Sequence, residues 1–129
     1  MAMTTSTVRK ATKRDWKERI RELRALLSAD PKKPMTQERF SQLVGVAGGT
    51  VARWESTGKV DPWMARKLER LERTLSVLSD MIVREDRVRF LEQAHPLLVG
   101  LRPIDLLDNE NGCAKVVQLL EGMESGDFA

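Results

Sequence analysis

One cysteine and one histidine are all that this chain of 129 residues offers to redox or soft-metal chemistry. Cys113 has no partner for an internal disulfide, which fits a reducing, cytoplasmic setting. His95 stands eighteen positions away from it, so the spacing holds no zinc-type cluster, and the sequence predicts no metal. No apolar run reaches eighteen residues, which excludes a helical membrane span. Met1–Thr7 lacks the apolar core of a signal peptide, and nothing in it suggests export. Gly48-Gly49 follows a helical pattern rather than a strand, so it is not a phosphate-cradling loop. No second base or nucleophile accompanies His95, and Asp105, Asp108 and Glu110 form no ligand set. The sequence therefore predicts a protein that is not an enzyme and takes no cofactor.

What is present is helical and unevenly charged. Apolar residues make up 41% and charged residues 32%, a balance suited to a soluble helical domain. Residues 1–80 hold 17 Lys/Arg against 10 Asp/Glu, a surplus of +7, while residues 81–129 hold 5 against 9, a deficit of −4. A basic front half suits contact with a phosphate backbone, and the acidic rear should avoid it.

The pattern along the chain predicts an all-α fold in three segments. Residues 1–12, rich in Thr, Ser and Lys, read as a flexible start. Residues 13–80 read as a bundle ending in a long linking helix, and residues 81–129 as a small helical unit with an exposed tail. Trp16, Ile20, Leu23 and Leu27 fall at intervals of four, three and four, the stripe of an amphipathic helix with Arg19, Arg21 and Arg24 on its polar side. Asp30-Pro31 ends it. Thr36 reads as a cap, Phe40 and Leu43 as buried, and Gly45-Val46-Ala47 as a corner. Val51 and Trp54 then point inward, and Gly58 stops that helix. Asp61-Pro62 opens a long helix with an acidic cap, whose Met64, Leu68, Leu71, Leu75, Leu78 and Ile82 form a heptad-type seam. That seam has three possible uses, which are the front core, the rear unit and a second subunit. The rear reads as a helix near Asp86–Ala94, a short turn after Pro103, a corner at Asn111-Gly112 and a final helix over Cys113–Met123.

Two consecutive short helices joined by a tight turn make a helix-turn-helix, whose second helix enters the major groove by its N-terminal end. The positions near that end are Gly48, Gly49, Thr50, Ala52 and Arg53. Arg53 is the candidate for a guanine edge or a phosphate, and Thr50 for a phosphate or a thymine methyl. Gln37 is placed for a phosphate, and Lys59 with Lys32 or Lys33 flanks the motif. The glycine pair removes direct readout and should weaken the helix by roughly 1 kcal/mol per residue.

The front unit resembles the Xre/Cro family of phage-repressor-like domains through Met35-Thr36-Gln37-Glu38-Arg39-Phe40, Gly45-Val46-Ala47, Thr50-Val51-Ala52-Arg53-Trp54-Glu55, Gly58 and Pro62. The family's Ser or Asn cap is replaced here by Ala47 followed by Gly48-Gly49. The rear resembles the toxin-binding domain of Xre/MbcA/ParS-type antitoxins through His95-Pro96-Leu97-Leu98, Gly100-Leu101-Arg102-Pro103-Ile104-Asp105-Leu106-Leu107, Asn111-Gly112 and Val116-Val117-Gln118-Leu119-Leu120. Gly126-Asp127-Phe128-Ala129 completes the match, and Phe90-Leu91 stands where the family often has Trp-Leu.

The resemblance implies a phage-repressor-like helix-turn-helix bundle joined by a long helix to a small helical toxin-binding domain. It further implies the antitoxin of a type II pair, which occludes a RES-type NAD-consuming toxin and represses its own operon as a homodimer or higher assembly on operator DNA. Arg102 would anchor the toxin, with Phe128 and the terminal carboxylate of Ala129 near the toxin's entrance. Two other readings stand beside it. One is a solitary DNA-binding regulator, and the other is a protein-interaction adaptor whose DNA-binding face has been retired.

Overall fold

The structure, a computed structural model, describes residues 15–123. Its first helix, α1 (Trp16–Leu26), starts where the Asp15 carboxylate accepts the free N–H groups of Lys17 and Glu18 at 2.9 and 3.4 Å. Ile20, Leu23 and Leu27 are buried, as their spacing predicts. Arg19 and Arg24 depart from the expected solvent-facing side. Arg19 is only 8% exposed, pairs with Glu72 at 2.9 and 2.5 Å, and stacks 3.7 Å over the Trp16 ring. Arg24 turns inward as well, toward Met35 and Glu55.

Thr36 caps α2 (Gln37–Val44) by accepting the Arg39 N–H at 3.1 Å, and Gly45 ends it in the left-handed conformation. After the corner, α3 (Thr50–Thr57) buries Val51 and Trp54. The helix begins at Thr50, so Gly48 and Gly49 belong to the turn before it. Gly49 occupies the cap position at φ 89, a conformation that favours glycine. The expected helix-weakening cost of the pair therefore does not apply.

α4 (Pro62–Met81) starts at Pro62, but the Asp61 side chain in the cap position makes no capping bond. Met64, Leu68, Leu71, Leu75, Leu78 and Ile82 are all buried within this one chain, none more than 6% exposed. The seam thus does not pair subunits. α4 meets α1 through Arg19–Glu72 and meets the rear through Arg70 and Arg73.

The rear consists of α5 (Arg84–Glu92), a 3-10 turn (Pro96–Leu98), α6 (Pro103–Leu106) and α7 (Glu110–Gly122). α7 starts one turn earlier than expected. Asn109, not Asn111, marks the corner, and its side chain accepts the Gly112 N–H at 2.7 Å. Asn111-Gly112 lies inside the first turn of the helix. Cys113 is buried against Thr74 at 3.7 Å, a small hydrophobe rather than a reactive thiol.

Helix C-termini leave carbonyls without partners, and here arginines from α5 supply the donors. Arg84 donates to the carbonyls of Ala25 and Ser28, and Arg87 donates to Leu26, Ser79 and Ile82. Burial lowers the pKa of the Arg87 guanidinium, although it stays charged. One contiguous core runs from Ile20 to Met123 through both halves. The described residues form seven α-helices and no strand, an all-α fold with a helix-turn-helix followed by a rear helical unit.

Candidate functional site

Two surfaces present themselves, one on each half. On the front, α1, α2 and α3 hold the turn through a buried carboxylate. Glu55, 9% exposed, accepts from Arg24 Nη1 at 2.7 Å and Gln37 Nε2 at 3.1 Å, with Arg21 Nε at 3.6 Å. Arg24 Nε meanwhile donates to the Met35 carbonyl at 2.7 Å, which fixes the chain entering α2. The two helices of the motif are thereby locked to one another and to α1. Sequence reasoning did not single out Glu55. An acid inside a helix looks solvated until partners 18 and 31 residues away are brought to it.

At the N-terminal end of α3, Gly48, Gly49, Ala52 and Arg53 are exposed and Thr50 is half-buried, while Lys59, past the C-terminal end of that helix, is exposed as well. α3 has no side-chain cap. Gln37 sits at the start of α2 but spends its amide on Glu55.

On the rear, a seven-residue loop is closed on itself. His95 and Leu101 form an antiparallel bridge, with the His95 N–H donating to Leu101 O at 3.2 Å and the Gly100 N–H donating to His95 O at 3.0 Å. His95 Nδ1 accepts the Leu97 N–H at 3.1 Å, a structural role with no catalytic partner. Leu98 is buried, while Leu97, Val99 and Leu101 are 75%, 88% and 48% exposed.

Residues 77–126 match the family model of the antitoxin Xre/MbcA/ParS C-terminal toxin-binding domain. The chain carries that toxin-binding domain. No curated protein and no solved structure matches the chain. The domain's match begins in the last turn of α4 and takes in α5, the closed loop, α6 and α7.

Within the toxin-binding domain, Arg102 is about half exposed and makes a two-point pair with Asp105, both bonds at 2.9 Å. The hydrogen bonds and the charge of Arg102 hold the Asp105 carboxyl below its ordinary range. Phe128 and Ala129 lie outside the described residues, as do residues 1–12. No group of three or more His, Cys, Asp or Glu among the described residues is arranged to hold a metal. No described helix is long and apolar enough to cross a membrane.

The toxin-binding domain is tied to the helix-turn-helix by a second carboxylate. Arg39 on α2 grips Glu92 at the end of α5 with bonds of 2.9 and 2.6 Å. The bond to Arg39 pulls the Glu92 carboxyl below the usual glutamate range. A carboxylate depressed on folding stabilises the fold above its unfolded value, about 4.3, and that contribution is lost as pH falls through the lower folded value. Glu92→Gln should therefore lower the urea midpoint at pH 7, and the gap to the parent should narrow as pH falls below about 4.3. A gap that stayed constant across that range would show that the ion pair is not its source.

Proposed function

We propose that the chain is the antitoxin of a type II toxin–antitoxin pair. Its toxin-binding domain holds and occludes a RES-type NAD-consuming enzyme, and its helix-turn-helix represses the shared operon in the cytoplasm. The observation that carries this reading is the toxin-binding family match over residues 77–126, set directly behind a helix-turn-helix in one chain. The basic front half supports the DNA role, and so does the open first turn of α3, whose N–H groups face no side-chain cap. In this reading Arg53 meets a base edge or a phosphate, Thr50 and Ala52 line the groove, Lys59 meets the backbone, and Gln37 reaches a phosphate only with the second N–H of the amide that Glu55 holds. Gly48 and Gly49 let the main chain approach closely. Arg102, Phe128 and Ala129 face the toxin, and Arg102 exchanges Asp105 for a partner on it. Assembly into a dimer on the operator would use a surface other than the α4 seam.

The test takes the purified product of the gene adjacent to this chain's own, which the reading expects to be a RES-type toxin, and follows its consumption of NAD. One equivalent of the chain should abolish that consumption, and an unchanged rate would sink the antitoxin reading. In operator binding, Arg53→Ala should reduce discrimination between operator and scrambled DNA by about 1–3 kcal/mol, with toxin inhibition untouched. If the unmodified chain inhibits the toxin yet shows no operator preference, the retired-face adaptor replaces the repressor.

A further inference from the structure

The closed loop His95–Leu101 has the opposite organisation from an ordinary surface turn. Its backbone is satisfied internally, by the His95–Leu101 bridge and by the N–H groups of Leu98, Val99 and Gly100 returning to His95 and Pro96. One side chain, Leu98, anchors it in the core. Pro96, Leu97, Val99 and Leu101 are exposed, none of the four polar, and His95 is half-buried. Among the described residues there are five large exposed apolar side chains, and three of them, Leu97, Val99 and Leu101, are in this loop.

Val99 adds a second observation. It is the one non-glycine residue among those described with positive φ, at 59°, and it is β-branched. That conformation is a genuine outlier for a β-branched residue, and asparagine or glycine would adopt it more cheaply. A loop selected for stability alone would carry one of those. An exposed valine there gains nothing from burial in this chain.

We infer that Leu97, Val99 and Leu101 form the apolar anchor by which the toxin-binding domain docks its toxin, with Arg102 as the polar rim beside it. The inference rests on the antitoxin reading and names the docking surface within it. Three features select the toxin as occupant. The loop lies wholly inside the segment matched as toxin-binding. Residues 81–129 are net acidic, and the aliphatic knob offers a partner a contact that does not depend on charge. The loop is rigid before contact, so little ordering entropy opposes docking. The partner's matching surface is an apolar depression on a folded protein, with a carboxylate placed to take Arg102 from Asp105.

The experiment compares the parent chain with Leu97→Ser/Val99→Asn and with Val83→Ser, titrating each against the purified RES-type toxin by calorimetry. Thermal melting and sedimentation of the free chains run alongside. Asn relieves the left-handed strain, so the double variant should melt no lower than the parent while its toxin affinity falls at least tenfold. Val83→Ser, which alters an exposed apolar side chain outside the loop, should bind like the parent. If the parent binds the toxin and the double variant binds equally well, the loop assignment is overturned and the antitoxin reading survives. If the parent itself does not bind, both are overturned. A parent that self-associates through the loop, with self-association but not toxin binding lost in the double variant, would make the surface a contact between copies and overturn the assignment.

Discussion

Gly112→Ala should destabilise the chain by about 2–4 kcal/mol, equivalent to a fall of roughly 10 °C in melting temperature. Helix propensity alone predicts the reverse sign, since alanine is favoured over glycine inside a helix by about 1 kcal/mol. Packing decides the matter. A Cβ at Gly112 would overlap the carbonyl oxygen of Leu106 and stand 2.8 Å from its carbonyl carbon. The obstacle is backbone at the end of α6, which cannot swing aside as a side chain does. It is also held from the other side, because Arg70 donates to the adjacent Leu107 carbonyl at 3.1 Å and pins the corner. Gly122, the last residue of the same helix, has open space around its Cβ position. Gly122→Ala should therefore leave stability unchanged or raise it slightly. Thermal melts of the two variants side by side give the answer, and equal stabilities would mean that α6 and α7 do not approach as closely as described.

The second large effect belongs to Glu55. Glu55→Ala should cost about 2–4 kcal/mol, toward the lower end of the range for breaking a buried ion pair because Arg24 keeps its bond to Met35 O. The loss comes chiefly from what is left behind. Arg24, its side chain 14% exposed, would keep its charge without the carboxylate, and the Gln37 amide would lose its acceptor. Replacing both charges, in Arg24→Met/Glu55→Leu, should recover much of the loss, since neither partner is then stranded. Urea denaturation of the two single variants and the double variant measures the coupling directly. Additive losses would show that the pair does not act as a unit. Operator binding, if present, should fall in Glu55→Ala with Arg53 intact, because the same carboxylate sets the angle between α2 and α3.

Local signals in the sequence were read well where the chemistry is local. The α1 stripe, the Thr36 cap and the glycine stops at Gly45 and Gly58 each depend on residues within a turn of one another. The start of α7 was misplaced for a physical reason. Asn-Gly is a strong corner signal, yet here the glycine is present for a close helix crossing and the capping is done by Asn109. The arginines were the harder class. Arg19, Arg24 and Arg87 look solvated in sequence, while their partners stand 53, 31 and 61 positions away in Glu72, Glu55 and Leu26. Nothing in a single chain reveals such pairings before the fold is known. Leu97-Leu98-Val99 is a continuous apolar run in the sequence, and only the folded backbone separates the anchor Leu98 from its two exposed neighbours.

The placement of α4 bears on how such a protein can be recombined. A chimera that joined a foreign DNA-binding unit to residues 81–129 would deprive the rear of the helix against which it folds. Thr74 meets Cys113, Arg70 meets the Leu107 carbonyl, and Arg73 meets Glu110, all from the middle of α4 and all upstream of that seam. The workable crossover lies before Pro62, in the exposed stretch after Gly58. Swapped there, the long helix would travel as part of the rear, and what the new front must supply is a cover for the face that α1 now occupies.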